Sequence, residues 1–314
     1  MELRSWGRSR RPHRPAPAWD LFRGMLDAPV DDTFTIAAAQ IDVAIGQPGK
    51  NLDRMLQVLR ETSAAGAELT VFPECALTGY CFESVDEALP SAQRIPGPAT
   101  HAVAAACREL GTNAIFGLLE VDEDRLFNAC ALVGPSGVIG AYRKVHLPYL
   151  GIDMHTTPGD RPFTVHEAAT PAGPARIGMS ICYDGSFPEC ARVLALEGAD
   201  LIALPTNWPP GSECTADYVI NSRALENNVY YVAVNRVGTE RGFRFIGRSK
   251  ICGPDGSTIA HAPLEREEVI YARCSPALAR KKRLIRVPGK HEIDRFKDRR
   301  PEMYGRITDA RGRV

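Results

Sequence analysis

The sequence has no unbroken apolar run of about 18 residues, the length a membrane helix needs, because charges, Pro or Gly interrupt every hydrophobic stretch. It has no net charge either, since 38 Lys and Arg balance 38 Asp and Glu. Neither a membrane nor a nucleic acid is therefore expected as a partner. The nine cysteines contain no CxxC pair, are odd in number and are scattered over 314 residues, which argues against a disulfide frame and a zinc cluster. The opening MELRSWGRSRRPHRPAPAWD lacks the apolar stretch of a secretory signal, so a reducing, cytoplasmic location is expected.

What remains is ordinary for a globular chain, with 44% apolar and 24% charged residues. Residues 1–31, rich in Arg and Pro and without periodicity, read as a flexible leader. A body over 32–278 follows. Residues 33–40 (TFTIAAAQ) read as a buried strand, 51–65 as a helix with Leu52, Met55, Leu56 and Leu59 on one face, and 68–72 as the next strand. Helix then strand recurs at 100–110 and 113–117, and again at 189–197 and 201–204. Hairpins are expected for 128–133 with 138–144, and for 248–252 with 258–262. Crossovers mixed with hairpins predict an α/β layered fold with a mixed sheet. From 279 to 314 the chain turns basic, thirteen Lys and Arg against five Asp and Glu, interrupted by apolar residues. That pattern suits an extension packing on the body or on a neighbouring subunit.

Three polar residues stand at strand ends. Residues 175–181 (ARIGMSI) form an apolar strand that runs into Cys182-Tyr183-Asp184-Gly185 and a helix opening near Pro188. A thiol at such a turn lies beside backbone N–H groups that favour thiolate and oxyanion. Glu74 follows the strand through Phe72, and Lys144 ends a strand. Were these brought to one sheet edge, a carboxylate would take the thiol proton and an ammonium would hold an oxyanion. Singly, Cys182 also reads as a small core residue, Glu74 as a cap and Lys144 as a surface charge. His146, two residues past Lys144, offers a Cys–His alternative or a supporting hydrogen bond, and Cys190 a resolving thiol or a core residue. Glu189 with Arg192, and Arg223 with Glu226 and Asn227, read as ion-pair networks.

Together the segments VFPECALTGY, YRKVHLP and Met179-Ser180-Ile181-Cys182-Tyr183-Asp184 resemble the Glu, Lys and Cys motifs of the carbon–nitrogen hydrolase family, also called the nitrilase superfamily. LFNACALVGPSGVIGAYRK, FPECARVLALEGADLIALPTNWP, RALENNVYYVAVNRVG and FIGRSKICGPDG extend the resemblance, in order, over about 33–305. It implies a four-layer αββα sandwich with mixed sheets, assembled into a homodimer or larger homo-oligomer. The amidase-type branch is favoured by the Tyr-Asp-Gly that follows the cysteine. By the same resemblance Glu74 is the general base and acid, Cys182 the nucleophile, and Lys144 with the Tyr183 N–H the oxyanion stabiliser, with no metal or organic cofactor.

Many members carry a second Glu after the Lys motif, and residues 150–159 contain none. Asp153 is the nearest carboxylate, either filling that role or capping its loop. Tyr80, Tyr149, Asn207, Trp208 and Arg236 are candidate substrate contacts, Arg236 as a carboxylate clamp or else a structural ion pair. The expected activity is hydrolysis of a small linear amide to a carboxylic acid and ammonia through a thioester. An N-carbamoyl compound is the alternative, then a nitrile, and a catalytically silent scaffold is the non-enzymatic one.

Overall fold

A computed structural model describes residues 32–262 and 265–309, and the leader expected over 1–31 lies outside the described residues. Strand β1 (Phe34–Gln40) shows how the sequence builds layers. Its side chains alternate, so Phe34, Ile36 and Ala38 enter one apolar cluster while Ala39 and the following Ile41 enter another. β2 (Leu69–Val71), β3 (Asn113–Asp122) and β4 (Arg125–Gly134) repeat the division. Leu69, Val71, Ile115, Cys130 and Leu132 face the first cluster, and Phe116, Leu118, Ala131 and Val133 the second. Strands apolar on both sides need cover on both.

The first cluster fills the seam between two six-stranded sheets and continues to the outer face of the second. One has the order β14 (Glu268–Cys274), β1, β2, β3, β4 and β5 (Gly137–Arg143). The other has the order β13 (Thr258–His261), β12 (Lys250–Cys252), β9 (Tyr230–Asn235), β8 (Leu201–Thr206), β7 (Ala175–Met179) and β6 (Val165–Ala168). The short strands β10 (Thr239–Glu240) and β11 (Phe243–Arg244) pair only with each other. Taken from β14 and from β6, the sheets share one pattern: an antiparallel pair, two parallel pairs, then two antiparallel pairs.

Helices Pro48–Ala64 and Pro98–Leu110 cover the outer face of the first sheet with Met55, Val58, Leu59, Val103 and Cys107. Helices Pro188–Leu196 and Ile220–Asn227 cover the second with Ala191, Leu194, Ile220 and Ala224. This is the four-layer αββα sandwich that the resemblance implied. No helix among the described residues is long and apolar enough to cross a membrane.

The elements differ from the sequence reading where one residue type served two purposes. Three helices start at Pro48, Pro98 and Pro188, ahead of the apolar periodicity, because proline suits the first helical turn, whose N–H groups have no intrahelical acceptor. β3 does not stop at Gly117 but runs to Asp122, and a hairpin through Glu123 and Asp124 leads into β4. Gly117 is there for a close approach: a Cβ at that position would lie 2.3 Å from the Cys75 nitrogen and 2.7 Å from the Glu74 Cα. β8 continues through Pro205, past the point where β7 leaves the ladder at Met179. In the basic segment β15 (Arg283–Val287) and β16 (His291–Asp294) form a hairpin, and Lys282 and Arg192 sit 4.9 and 5.4 Å from the Phe296 ring. Arg192 also donates to the Glu226 carbonyl, so it does not make the expected pair with Glu189, whereas Arg223 and Glu226 do pair at 3.1 Å.

Two outcomes follow. Gly117→Ala pushes the Glu74 segment off β3 and lowers stability by about 1–3 kcal/mol in a denaturant titration; an unchanged midpoint would show that the backbones are not in contact. The second concerns the thiols. Burial pushes Cys81, Cys107 and Cys252 up to about 12 and raises Cys75, Cys130, Cys190 and Cys274 as well, while an unfolded thiol ionises near about 8.5. Between those values the unfolded chain holds fewer protons than the fold, so stability falls as pH rises, by up to about 1.4 kcal/mol per pH unit for each thiol. The thermal midpoint in reductant therefore drops between about pH 8 and about pH 10.5, and a flat profile there would contradict this.

Candidate active site

The turn after β2 carries Pro73 and Glu74, and Cys75 behind it has φ 49°, a left-handed conformation costly for a residue with a Cβ. Lys144 follows the last residue of β5. Because Ala129 pairs with Arg143, Asn128 of β4 stands beside Lys144, and its carbonyl accepts the Lys144 N–H at 2.8 Å. Cys182 opens the tight turn Cys182–Ser186 after β7 and is itself left-handed, φ 46°. Asp184 holds that turn: its carboxylate accepts from the Ile181 N–H at 2.9 Å, the His146 N–H at 3.1 Å and the Tyr142 hydroxyl at 2.8 Å.

The side chains converge. Lys144 Nζ donates to Glu74 Oε1 at 2.7 Å and to Asp153 Oδ2 at 2.5 Å, with no exposed surface on any of the three side chains. Asp153 is therefore a partner of the lysine and not a loop cap, carried there by the short turn Gly151–Met154. Tyr80 OH donates to Asp153 Oδ2 at 2.8 Å, and Asn128 Nδ2 donates to both Glu74 Oε1 at 2.7 Å and Asp153 Oδ1 at 2.8 Å. Glu74 Oε2 is buried without a partner among the described residues.

The charges act on one another. Burial raises the Glu74 carboxyl above the usual glutamate value; Asp153 adds to this, while Lys144 and Asn128 oppose it. Burial works against the Lys144 ammonium, but Asp153, Glu74 and Cys182 together keep its pKa well above that of an ordinary lysine. Burial and the Glu74 carboxylate push the Cys182 thiol up to about 12, against the Lys144 ammonium, the Thr206 hydroxyl and the Asn207 N–H beside it. The resting sulfur is a thiol.

The remaining candidates separate. Asn207 is buried next to the thiol, and its side-chain amide has no partner among the described residues. Trp208 is buried with its backbone N–H on Asn235. Tyr183 is exposed at the turn, edge-on to Phe187. Tyr80 gives its one hydroxyl hydrogen to Asp153, with the Leu150 carbonyl 2.9 Å away, so it braces the cluster. Tyr149 is 93% exposed and stands out in solvent. Arg236, weighed as a carboxylate clamp or a structural ion pair, makes the ion pair and not a substrate contact: it is buried on Glu240, Asp42 and two backbone carbonyls, while Glu240 also receives the N–H groups of Tyr80 and Cys81. His146 bonds Asp184 at 2.7 Å and stacks on Phe187, and Cys190 lies in the core. Asn128 and the anchoring role of Asp184 were missed; an asparagine inside the apolar run LFNACALV was the available signal for the first.

Known proteins share this arrangement of strands and segments. The chain is 40% identical over 272 residues to a nitrilase of Pyrococcus abyssi, covering 86% of this chain and 99% of that protein. It is 29% identical over 288 residues to an omega-amidase of Bos taurus, covering 87% and 97%, and 27% identical over 264 residues to a formamidase of Bacillus cereus, covering 80% and 76%. The fold is that of the nitrilase-superfamily amidase of Nesterenkonia AN1, with TM-score 0.72 and 23% identity over 90% of this chain and 99% of that one. The family described as carbon-nitrogen hydrolase matches residues 35–284, and the chain belongs to it, as a hydrolase acting on carbon–nitrogen bonds.

Proposed function

We propose that the protein is a cysteine-dependent amidohydrolase that converts a small linear amide to a carboxylic acid and ammonia. The observation that carries this reading is the buried Lys144 bridging Glu74 and Asp153, with the free oxygen of Glu74 left over and the Cys182 thiol within their field. Glu74 Oε2 accepts the thiol proton as Cys182 Sγ attacks the amide carbon. The oxyanion forms against the third N–H of Lys144, the other two being engaged, and against the Tyr183 N–H. Collapse returns the proton from Glu74 to the nitrogen, ammonia leaves, and an acyl thioester remains on Cys182. Glu74 then takes a proton from water, hydroxide adds to the thioester, and the proton returns to sulfur as the acid departs.

With Glu74 and Lys144 wholly buried and Cys182 8% exposed, the reacting atoms suit a small substrate. Relatives named formamidase and omega-amidase agree with that class. The relative named nitrilase supports nitrile hydrolysis as the second reading, since a thiol adds to a nitrile carbon from the same position. The carbamoyl alternative loses its motive, because Arg236 is engaged elsewhere. A cytoplasmic location and a homo-oligomeric state remain part of the proposal.

Ammonia release over aliphatic amides, ω-amides, nitriles and carbamoyl amino acids tests the reading. Turnover of short amides is expected, with an acyl adduct by intact mass that is absent in Cys182→Ala; no ammonia from any amide would overturn it. Glu74→Gln lowers kcat by about 10²–10⁴-fold. Lys144→Ala stops turnover and also leaves two carboxylates facing each other in the core. The fold should then lose about 3–5 kcal/mol by denaturant titration, and an unchanged midpoint would show that the ammonium does not hold the carboxylates together.

A further inference from the structure

Asn128 lies on a central stretch of β4 with no exposed surface, between residues of an apolar run. Asparagine is a poor strand former, and its amide is costly to bury unless every group is bonded. Packing alone would favour a branched aliphatic residue there. Both hydrogens of its NH₂ group are committed, one to Glu74 Oε1 at 2.7 Å and one to Asp153 Oδ1 at 2.8 Å. The amide oxygen faces the Cys75 thiol, at 3.6 Å from Sγ, so the orientation is fixed: the carboxylates can only accept from it.

We propose that Asn128 is a positioning residue that selects the oxygen of Glu74 used as the base. The inference rests on the amidohydrolase reading above. Glu74 Oε1 receives two hydrogen bonds, from Asn128 and from Lys144, whereas Oε2 receives none among the described residues. The doubly bonded oxygen is the weaker base, so the proton from the thiol goes to Oε2. Lys144 alone does not fix the carboxylate plane, because an ammonium makes a single point contact to one oxygen of each carboxylate. A planar amide spanning both carboxylates does, and it sets Asp153 and Glu74 at a fixed separation on either side of the ammonium.

The test is Asn128→Leu, which keeps the volume and removes the donors, read against Glu74→Gln and the wild type. The Asn128 donor stabilises the ionised Glu74 that serves as base, so its loss raises the carboxyl pKa. The acidic limb of kcat/KM for a short amide then moves toward higher pH by roughly one unit, and kcat falls about 10- to 100-fold with KM little changed. A structural defect would lower the whole profile without moving the limb. A folded Asn128→Leu protein with an unmoved limb overturns the proposal while leaving the amidohydrolase reading intact; full turnover in Glu74→Gln overturns both. If Asn128→Leu does not fold, protein labelled with ¹⁵N-asparagine decides. One side-chain NH₂ pair must shift between wild type and Glu74→Gln, and no shifted pair would refute the contact.

Discussion

An ammonium with no exposed surface cannot stand alone inside a protein. Left unpaired it would lose its proton or unfold its surroundings, since charge burial without partners costs far more than a domain's net stability. Lys144 keeps its charge because Glu74 and Asp153 close around it. Much of the local architecture serves that enclosure. The register of β4 against β5 sets Asn128 beside the lysine, the turn Gly151–Met154 brings Asp153 back, Asn128 bonds the Asp153 oxygen that Lys144 leaves over, and Tyr80 shares the other with the ammonium. Gly117, bare of a side chain, lets the Glu74 backbone lie against β3.

That enclosure also sets the resting state of the sulfur. Burial and the Glu74 carboxylate both disfavour a thiolate at Cys182, against the Lys144 ammonium. In the proposed reaction the negative charge therefore passes from Glu74 to the oxyanion as the carbon–sulfur bond forms, without a free thiolate beforehand. The amount of buried charge stays constant while its position moves toward Lys144, and groups already fixed in place respond without reorganisation.

The layers were legible in sequence because they depend on local pattern. Apolar alternation in TFTIAAAQ and the order of helices and strands lie within short windows of chain, and the three motifs bear a family resemblance. What depended on contacts between distant segments was not legible. Asp153 reads equally as cap or partner in sequence, because the turn at 151–154 meets the end of β5 only in the fold. Arg236 follows β9, and nothing nearby says whether it faces a ligand; its partner Asp42 is 194 positions away. Asn128 has its acceptors on two other loops, so nothing beside it in the chain names its role.

The two sheets have matching strand order, yet the chemistry is not duplicated. Glu74 and Lys144 leave strands of the first sheet, while Cys182 and Asn207 leave strands of the second. The interface between the layers, where Cys130 lies 3.8 Å from Met179, is thus the ruler that spaces Glu74, the proposed base, from the sulfur. Slippage there too slight to register as unfolding would stretch the distance a proton has to cross. Catalytic rate would then act as a fine gauge of how the two halves of the molecule are seated on each other.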